Sequence, residues 1–142
     1  MTTDDDTKWV LVADDEPSVR QFVERALNYA GYAVTVVPDG NAALDALTKR
    51  SYDLLLTDIV MPGLDGIALA LKATKVRPEM PVLMMSSLPF SRFIRFQSGD
   101  VSADSSPIYL EKPLNLSKCR VTLARVFESG FPGGPTIPKD IV

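Results

Sequence analysis

The sequence predicts an α/β fold: a doubly wound, five-stranded parallel sheet with helices on both faces. Two observations carry that reading. Apolar runs of strand length alternate with segments of 3.6-residue periodicity, β then α, five times along 142 residues. In addition, charged residues stand directly behind three of the apolar runs, where a parallel sheet gathers its strand ends along one edge. A chain of this length fits one domain with a full core.

The elements follow in order. Residues 8–13 form a near-continuous apolar run, as expected of a strand covered on both faces. Pro17 suits the first turn of a helix, where no N–H is needed. Val19, Phe22, Val23, Ala26, Leu27 and Ala30 then repeat at helical spacing, and Gly31 ends the helix. Residues 33–37 are β-branched and strand-like. Pro38, Asp39 and Gly40 form a turn before a helix marked by Ala42, Ala43, Ala46 and Leu47. The third strand is 53–57. A loop with Pro62 and Gly63 leads to a helix carrying Ile67, Leu69, Ala70, Leu71 and Ala73. Residues 82–86 and 108–111 are the fourth and fifth strands. Leu116, Cys119, Leu123, Val126 and Phe127 give the last helix its buried stripe.

The segment between Ser86 and Pro107 departs from this rhythm. Phe90, Phe93, Ile94 and Phe96 suffice for one or two helical turns, and the remainder is polar and turn-rich. A short or irregular fourth helix with a long loop is expected. It either covers the core or, with Arg92 and Arg95 beside the rings, meets a partner. Residues 1–7 and the Pro/Gly-rich stretch 129–142 are expected to be flexible, leaving 8–128 as the domain.

Composition narrows the function. Lys and Arg are scattered and the net charge is −3, so direct nucleic-acid binding is not expected. There is no histidine, which excludes histidine catalysis and histidine-ligated metals. Cys119, the single cysteine, reads as a buried, inert thiol. The start lacks the basic and apolar regions of a signal peptide, and no apolar run reaches membrane-spanning length. A cytoplasmic protein is expected.

The charged strand-end pieces are Asp14 with Asp15, Asp58, and Lys112. By themselves, Asp14 and Asp15 fit a polar turn before a helix, and Lys112 fits a solvated surface charge. Gathered at one edge, they make a site for a divalent cation and a phosphoryl group. Hard oxygen donors suit magnesium, which keeps waters and phosphate oxygens in its shell. Asp58 is then a carboxylate nucleophile able to form an aspartyl phosphate.

Four pieces in this order resemble the receiver domain of two-component response regulators, over roughly residues 8–128. They are Val12 to Glu16, Leu56 to Gly66, Pro81 to Ser86, and Glu111 to Pro113. The resemblance implies a flavodoxin-like sheet of order 2-1-3-4-5 and phosphoryl transfer from a sensor histidine kinase or phosphotransfer protein to Asp58. It implies Mg2+ bound by Asp15, Asp58 and the backbone carbonyl of Val60, with Asp14 acting mainly through water. It implies a cis bond between Lys112 and Pro113 that aims the ammonium at the phosphoryl oxygens. Ser86 would donate a hydrogen bond to the phosphoryl group, and Tyr109 would be the aromatic switch that follows it, or else a half-buried edge tyrosine. A downstream protein target would read the 88–128 face.

Departures from the family pattern are Ser87, where a smaller residue is commonest, and Val60 and Leu88 at the two variable flanking positions. Neither of the latter can orient an attacking water, so slow loss of phosphate is expected. The output is expected through protein contacts, from a monomer or weak homodimer, unless the chain is the receiver piece of a larger regulator. Two other classes fit less well. A flavodoxin-like electron carrier needs a phosphate loop where Asp14, Asp15 and Glu16 stand. An aspartate-nucleophile phosphatase wants a second carboxylate where Val60 stands.

Overall fold

The computed structural model describes residues 7–86 and 109–129. The expected irregular helix, the phenylalanine-rich segment, Ser87 and Leu88 lie outside the described residues, as do 1–6 and 130–142. The elements are β1 (Trp9–Ala13), α1 (Pro17–Tyr29), β2 (Ala33–Val37), α2 (Gly40–Lys49), β3 (Leu54–Asp58), α3 (Gly66–Val76), β4 (Val82–Ser86), β5 (Tyr109–Glu111) and α4 (Leu116–Ser129). The helix called α4 is the one that follows β5.

The five strands form one parallel sheet of order β2-β1-β3-β4-β5. Alternate side chains of the central strands point to opposite faces, and each face has its own core. Leu11, Leu55 and Met84 pack against Leu47 and Leu69 of α2 and α3. Val10, Leu56, Leu83 and Met85 pack against Val23 and Leu27 of α1 and Cys119 and Leu123 of α4. Each large side chain so buried contributes about 1.5–3 kcal/mol. Burial on both faces explains why β3 and β4 read as unbroken apolar runs. All five residues of β2 are half-buried, because it is an edge strand.

Helix starts follow local chemistry. Asp39 Oδ1 accepts from the Ala42 N–H and Asp65 Oδ1 from the Ala68 N–H, each at 2.8 Å, capping α2 and α3. Asn115 Oδ1 does the same for Lys118 at 2.8 Å before α4. Gly31 follows α1 with φ of 101°, a left-handed conformation that glycine adopts freely. The expected Pro38–Gly40 turn is shorter than anticipated: Gly40 is already the first residue of α2.

Three further expectations are corrected. Phe22 is 38% exposed and not part of the buried stripe of α1, which runs through Val23, Ala26 and Leu27. Ala30 lies past the end of α1 as its C-cap. The third strand starts at Leu54, not at 53. There the Asp53 N–H donates to the Trp9 carbonyl at 2.8 Å, and the Asp53 carboxylate accepts from the Trp9 N–H at 2.8 Å. At that same sheet end, the Arg50 guanidinium stacks 3.3 Å from the centre of the Trp9 ring.

Candidate functional site

The sheet ladder continues past three strand ends, and each extra rung fixes a charged residue or its neighbour. The Asp14 N–H donates to the Val37 carbonyl at 3.2 Å, and the Ile59 N–H to the Met85 carbonyl at 3.0 Å. The Lys112 N–H donates to the Ser86 carbonyl at 2.8 Å. Backbone geometry therefore brings Asp14, Asp58, Ser86 and Lys112 to one edge, as the sequence predicts. Asp14 is fully buried, Ser86 and Asp58 are nearly so, and Asp15 is exposed.

Lys112 is the centre of the cluster. Its ammonium donates to Asp14 Oδ2 at 2.9 Å, to Asp58 Oδ2 at 3.2 Å and to Glu16 Oε1 at 3.5 Å. The peptide bond between Lys112 and Pro113 is cis. The other oxygen of Asp14, Oδ1, accepts from the Glu16 N–H at 2.8 Å. Burial, and then the charge of Asp14, push the Asp58 carboxyl above its ordinary range, outweighing Lys112 and the hydrogen bond from the Val60 backbone. Burial works against the Lys112 ammonium, but Asp14 and then Asp58 overcome it and hold its pKa above the ordinary value.

One oxygen from each of Asp14, Asp15 and Asp58 lies within 4.8 Å of the others. This donor set is all oxygen and carries more negative charge than Lys112 balances. It fits a hard divalent cation, which would offset both the burial of the Asp58 charge, the larger cause of its raised pKa, and the repulsion from Asp14. The Val60 side chain is 60% exposed beside Asp58. Tyr109 opens β5 opposite Met84; its side chain, and with it the expected switch, lies outside the described residues.

The structure adds three residues that sequence reasoning left without a role. Glu16 reaches Lys112. Arg20, one helical turn beyond Glu16, donates from Nη1 to the Asp14 carbonyl at 2.8 Å. Gly66, the first residue of α3, lies against the backbone of Asp58 and Ile59 and donates its N–H to the Ile59 carbonyl at 2.8 Å. Glu16 and Gly66 stand inside the motifs that carry the family resemblance. Arg20 had only its helical spacing to signal it.

A parallel sheet of this order, with three carboxylates and a lysine at its carboxyl edge, defines a receiver-type phosphoryl switch domain. The sequence matches the response regulator receiver domain over residues 10–123, and the chain belongs to that family. It is 37% identical over 109 residues to the response regulator receiver protein CpdR of Brucella abortus, covering 77% of this chain and 88% of that protein. It is 45% identical over 79 residues to the DNA-binding transcriptional regulator NtrC of Klebsiella pneumoniae, covering 56% of this chain but 16% of that protein. The fold superposes on the chemotaxis response regulator CheY4 of Vibrio cholerae with a TM-score of 0.73 at 29% identity, covering 84% and 98% of the two chains. It also superposes on the response regulator TrrA of Thermotoga maritima, solved in complex with Mg2+–BeF, with a TM-score of 0.70 at 26% identity. That match covers 84% of this chain and 99% of TrrA. The chain is thus a phosphorylation-dependent signalling protein of the two-component class. Among the described residues, no helix is long and apolar enough to cross a membrane.

Proposed function

We propose that Asp58 is the phosphoacceptor and that the chain takes its phosphoryl group from a phosphohistidine of a sensor kinase or phosphotransfer protein. The observation that carries this reading is the placement of the Lys112 ammonium between Asp14 and Asp58, 2.9 and 3.2 Å away. An Asp58 carboxylate oxygen attacks phosphorus, the N–P bond breaks, and the imidazole leaves with the electron pair. Asp15, Asp58 and the Val60 carbonyl would hold Mg2+ directly, with Asp14 acting through water. The ion supplies charge neutralisation for the incoming phosphoryl oxygens.

Lys112 then exchanges its contact with Asp58 for a phosphoryl oxygen, and Ser86 donates its hydroxyl to another. In this way the protein assists both its own phosphorylation and the later hydrolysis. Movement at Ser86 is passed to Tyr109, and a protein target reads the 88–128 face. The setting is the cytoplasm, and the species is a monomer or weak homodimer with 8–128 as its domain.

The test is phosphorylation by a small phosphodonor with Mg2+, read by intact mass. Wild type gains one phosphoryl mass, and Asp58→Asn does not. Equal gain by both proteins, or none by wild type, refutes the assignment.

A further inference from the structure

Arg20 stands beside the carboxylate cluster without pairing to it. Its Nη1 is committed to the backbone carbonyl of Asp14 at 2.8 Å. Among the described residues it forms no ion pair with Asp14, Asp15, Glu16 or Asp58; Lys112 is the cation that pairs with Asp14, Glu16 and Asp58. A guanidinium next to so much negative charge would gain more Coulomb energy from a carboxylate than from a carbonyl. Its contact is therefore geometric in its effect.

The object of that contact is the peptide joining Asp14 to Asp15. The Asp14 side chain is pinned at both oxygens, by the Glu16 N–H and by Lys112. The Asp15 carboxylate is exposed, and among the described residues no group donates a hydrogen bond to it. Nothing on the side chain itself fixes where Asp15 stands, so its position is set through the backbone. Three bonds hold that backbone: the sheet rung from the Asp14 N–H to Val37, the bond from Arg20 to the Asp14 carbonyl, and, beyond Asp15, the bond from the Glu16 N–H to Asp14 Oδ1. The second lies on the Asp15 side of the residue.

We propose that Arg20 is a positioning residue for the cation site: by holding the Asp14 carbonyl, it sets where the Asp15 carboxylate meets the metal. This rests on the reading of Asp15 and Asp58 as Mg2+ ligands. Charge and geometry predict opposite signs, which makes the idea testable. Removing a positive charge from beside the site tightens cation binding on Coulomb grounds alone. Removing a positioning bond weakens it, as loss of a partner just outside a metal's ligand shell does.

The experiment counts bound Mn2+, which takes the same oxygen donors as Mg2+, from the electron paramagnetic resonance of the free ion. Wild type, Arg20→Gln and Arg20→Lys are titrated, and the thermal unfolding midpoint of each is measured without metal. The expected result is affinity about tenfold weaker in Arg20→Gln. Part of it returns in Arg20→Lys, which keeps a donor but not the planar fork. Equal or tighter binding by Arg20→Gln overturns the proposal, as does a lowered unfolding midpoint with unchanged affinity. If wild type binds no Mn2+ and Mg2+ does not compete, the metal reading itself fails and the proposal fails with it.

Discussion

Replacing Gly66 with alanine sets two effects of known size against each other at the seat of Asp58. Gly66 is buried at the start of α3 with ordinary helical geometry, so alanine there gains helix propensity, about 1 kcal/mol at most. The added Cβ, however, would press on the Asp58 carbonyl oxygen and stand 2.8 Å from Ile59 Cα and 2.9 Å from the Asp58 carbonyl carbon. All of these are backbone atoms, so no rotamer change relieves the contact. Carbon atoms rest about 3.5–4.0 Å apart, so α3 or the end of β3 must move by about 1 Å.

Overpacking of this kind costs about 1–3 kcal/mol, and stretching the bond from the Gly66 N–H to Ile59 adds about 1 kcal/mol. After the propensity gain, the net loss is about 1–3 kcal/mol. Urea unfolding followed by far-ultraviolet circular dichroism measures it, and phosphoryl uptake falls with it because Asp58 is displaced. Gly63→Ala is the control. Its φ is +75° and nothing lies within 4 Å, so it carries left-handed strain of about 1–2 kcal/mol with Asp58 undisturbed. A Gly66→Ala protein within about 0.5 kcal/mol of wild type would refute the close-approach argument.

Other outcomes follow from the same structure. Burial, and then Asp14, raise the Asp58 pKa above its ordinary value of 3.8. A raised carboxyl stabilises the fold below that ordinary value, and the benefit is lost as pH rises through the raised one. Charged Asp58 therefore burdens the metal-free protein at neutral pH. Asp58→Asn should unfold at higher urea at pH 7, its advantage shrinking as pH falls; a variant less stable than wild type at pH 7 would contradict this. Leu83→Ala empties a fully buried position between the sheet and the α1–α4 layer and should cost about 2–5 kcal/mol in the same urea assay. Val60 offers an exposed hydrocarbon beside Asp58 and no group to orient water. Phosphorylated protein should keep its phosphoryl group for minutes or longer without a phosphatase, and a half-life of seconds by intact mass would disprove this.

Much of the site was legible because its residues sit where sequence and backbone coincide. Asp14, Asp58 and Lys112 stand at the ends of apolar runs whose burial on both faces makes them recognisable, and the parallel sheet does the gathering. Ser86 also ends an apolar run, but only the family resemblance gives it a role. Arg20 and Gly66 were harder, since their roles depend on which distant or neighbouring backbone comes close. No side-chain pattern encodes the approach of a helix start to the Asp58 carbonyl. Phe22 shows the limit of periodicity from the other side. Helical spacing placed it on the stripe of α1, but the stripe is narrower than the spacing permits. Phe22 lies at its margin, beside a groove of about 180 Å3 that it shares with Lys112, Pro113 and Leu114. The strand start at Leu54 was likewise set by a pairing between Asp53 and Trp9 that spans 44 residues of sequence.

Trp9 has a practical consequence for anyone measuring this protein. It is the chain's single tryptophan, and it sits at the opposite end of β1 from Asp14, about 16 Å away at strand rise. Its ring lies beneath Arg50 and beside Tyr52, in contact with neither Asp58 nor Lys112. Intrinsic fluorescence will therefore report the opening of the sheet's far end and stay nearly silent when ions or phosphoryl groups arrive. A flat emission trace during titration is expected whether or not the site fills, so occupancy has to be read by mass or by spin resonance.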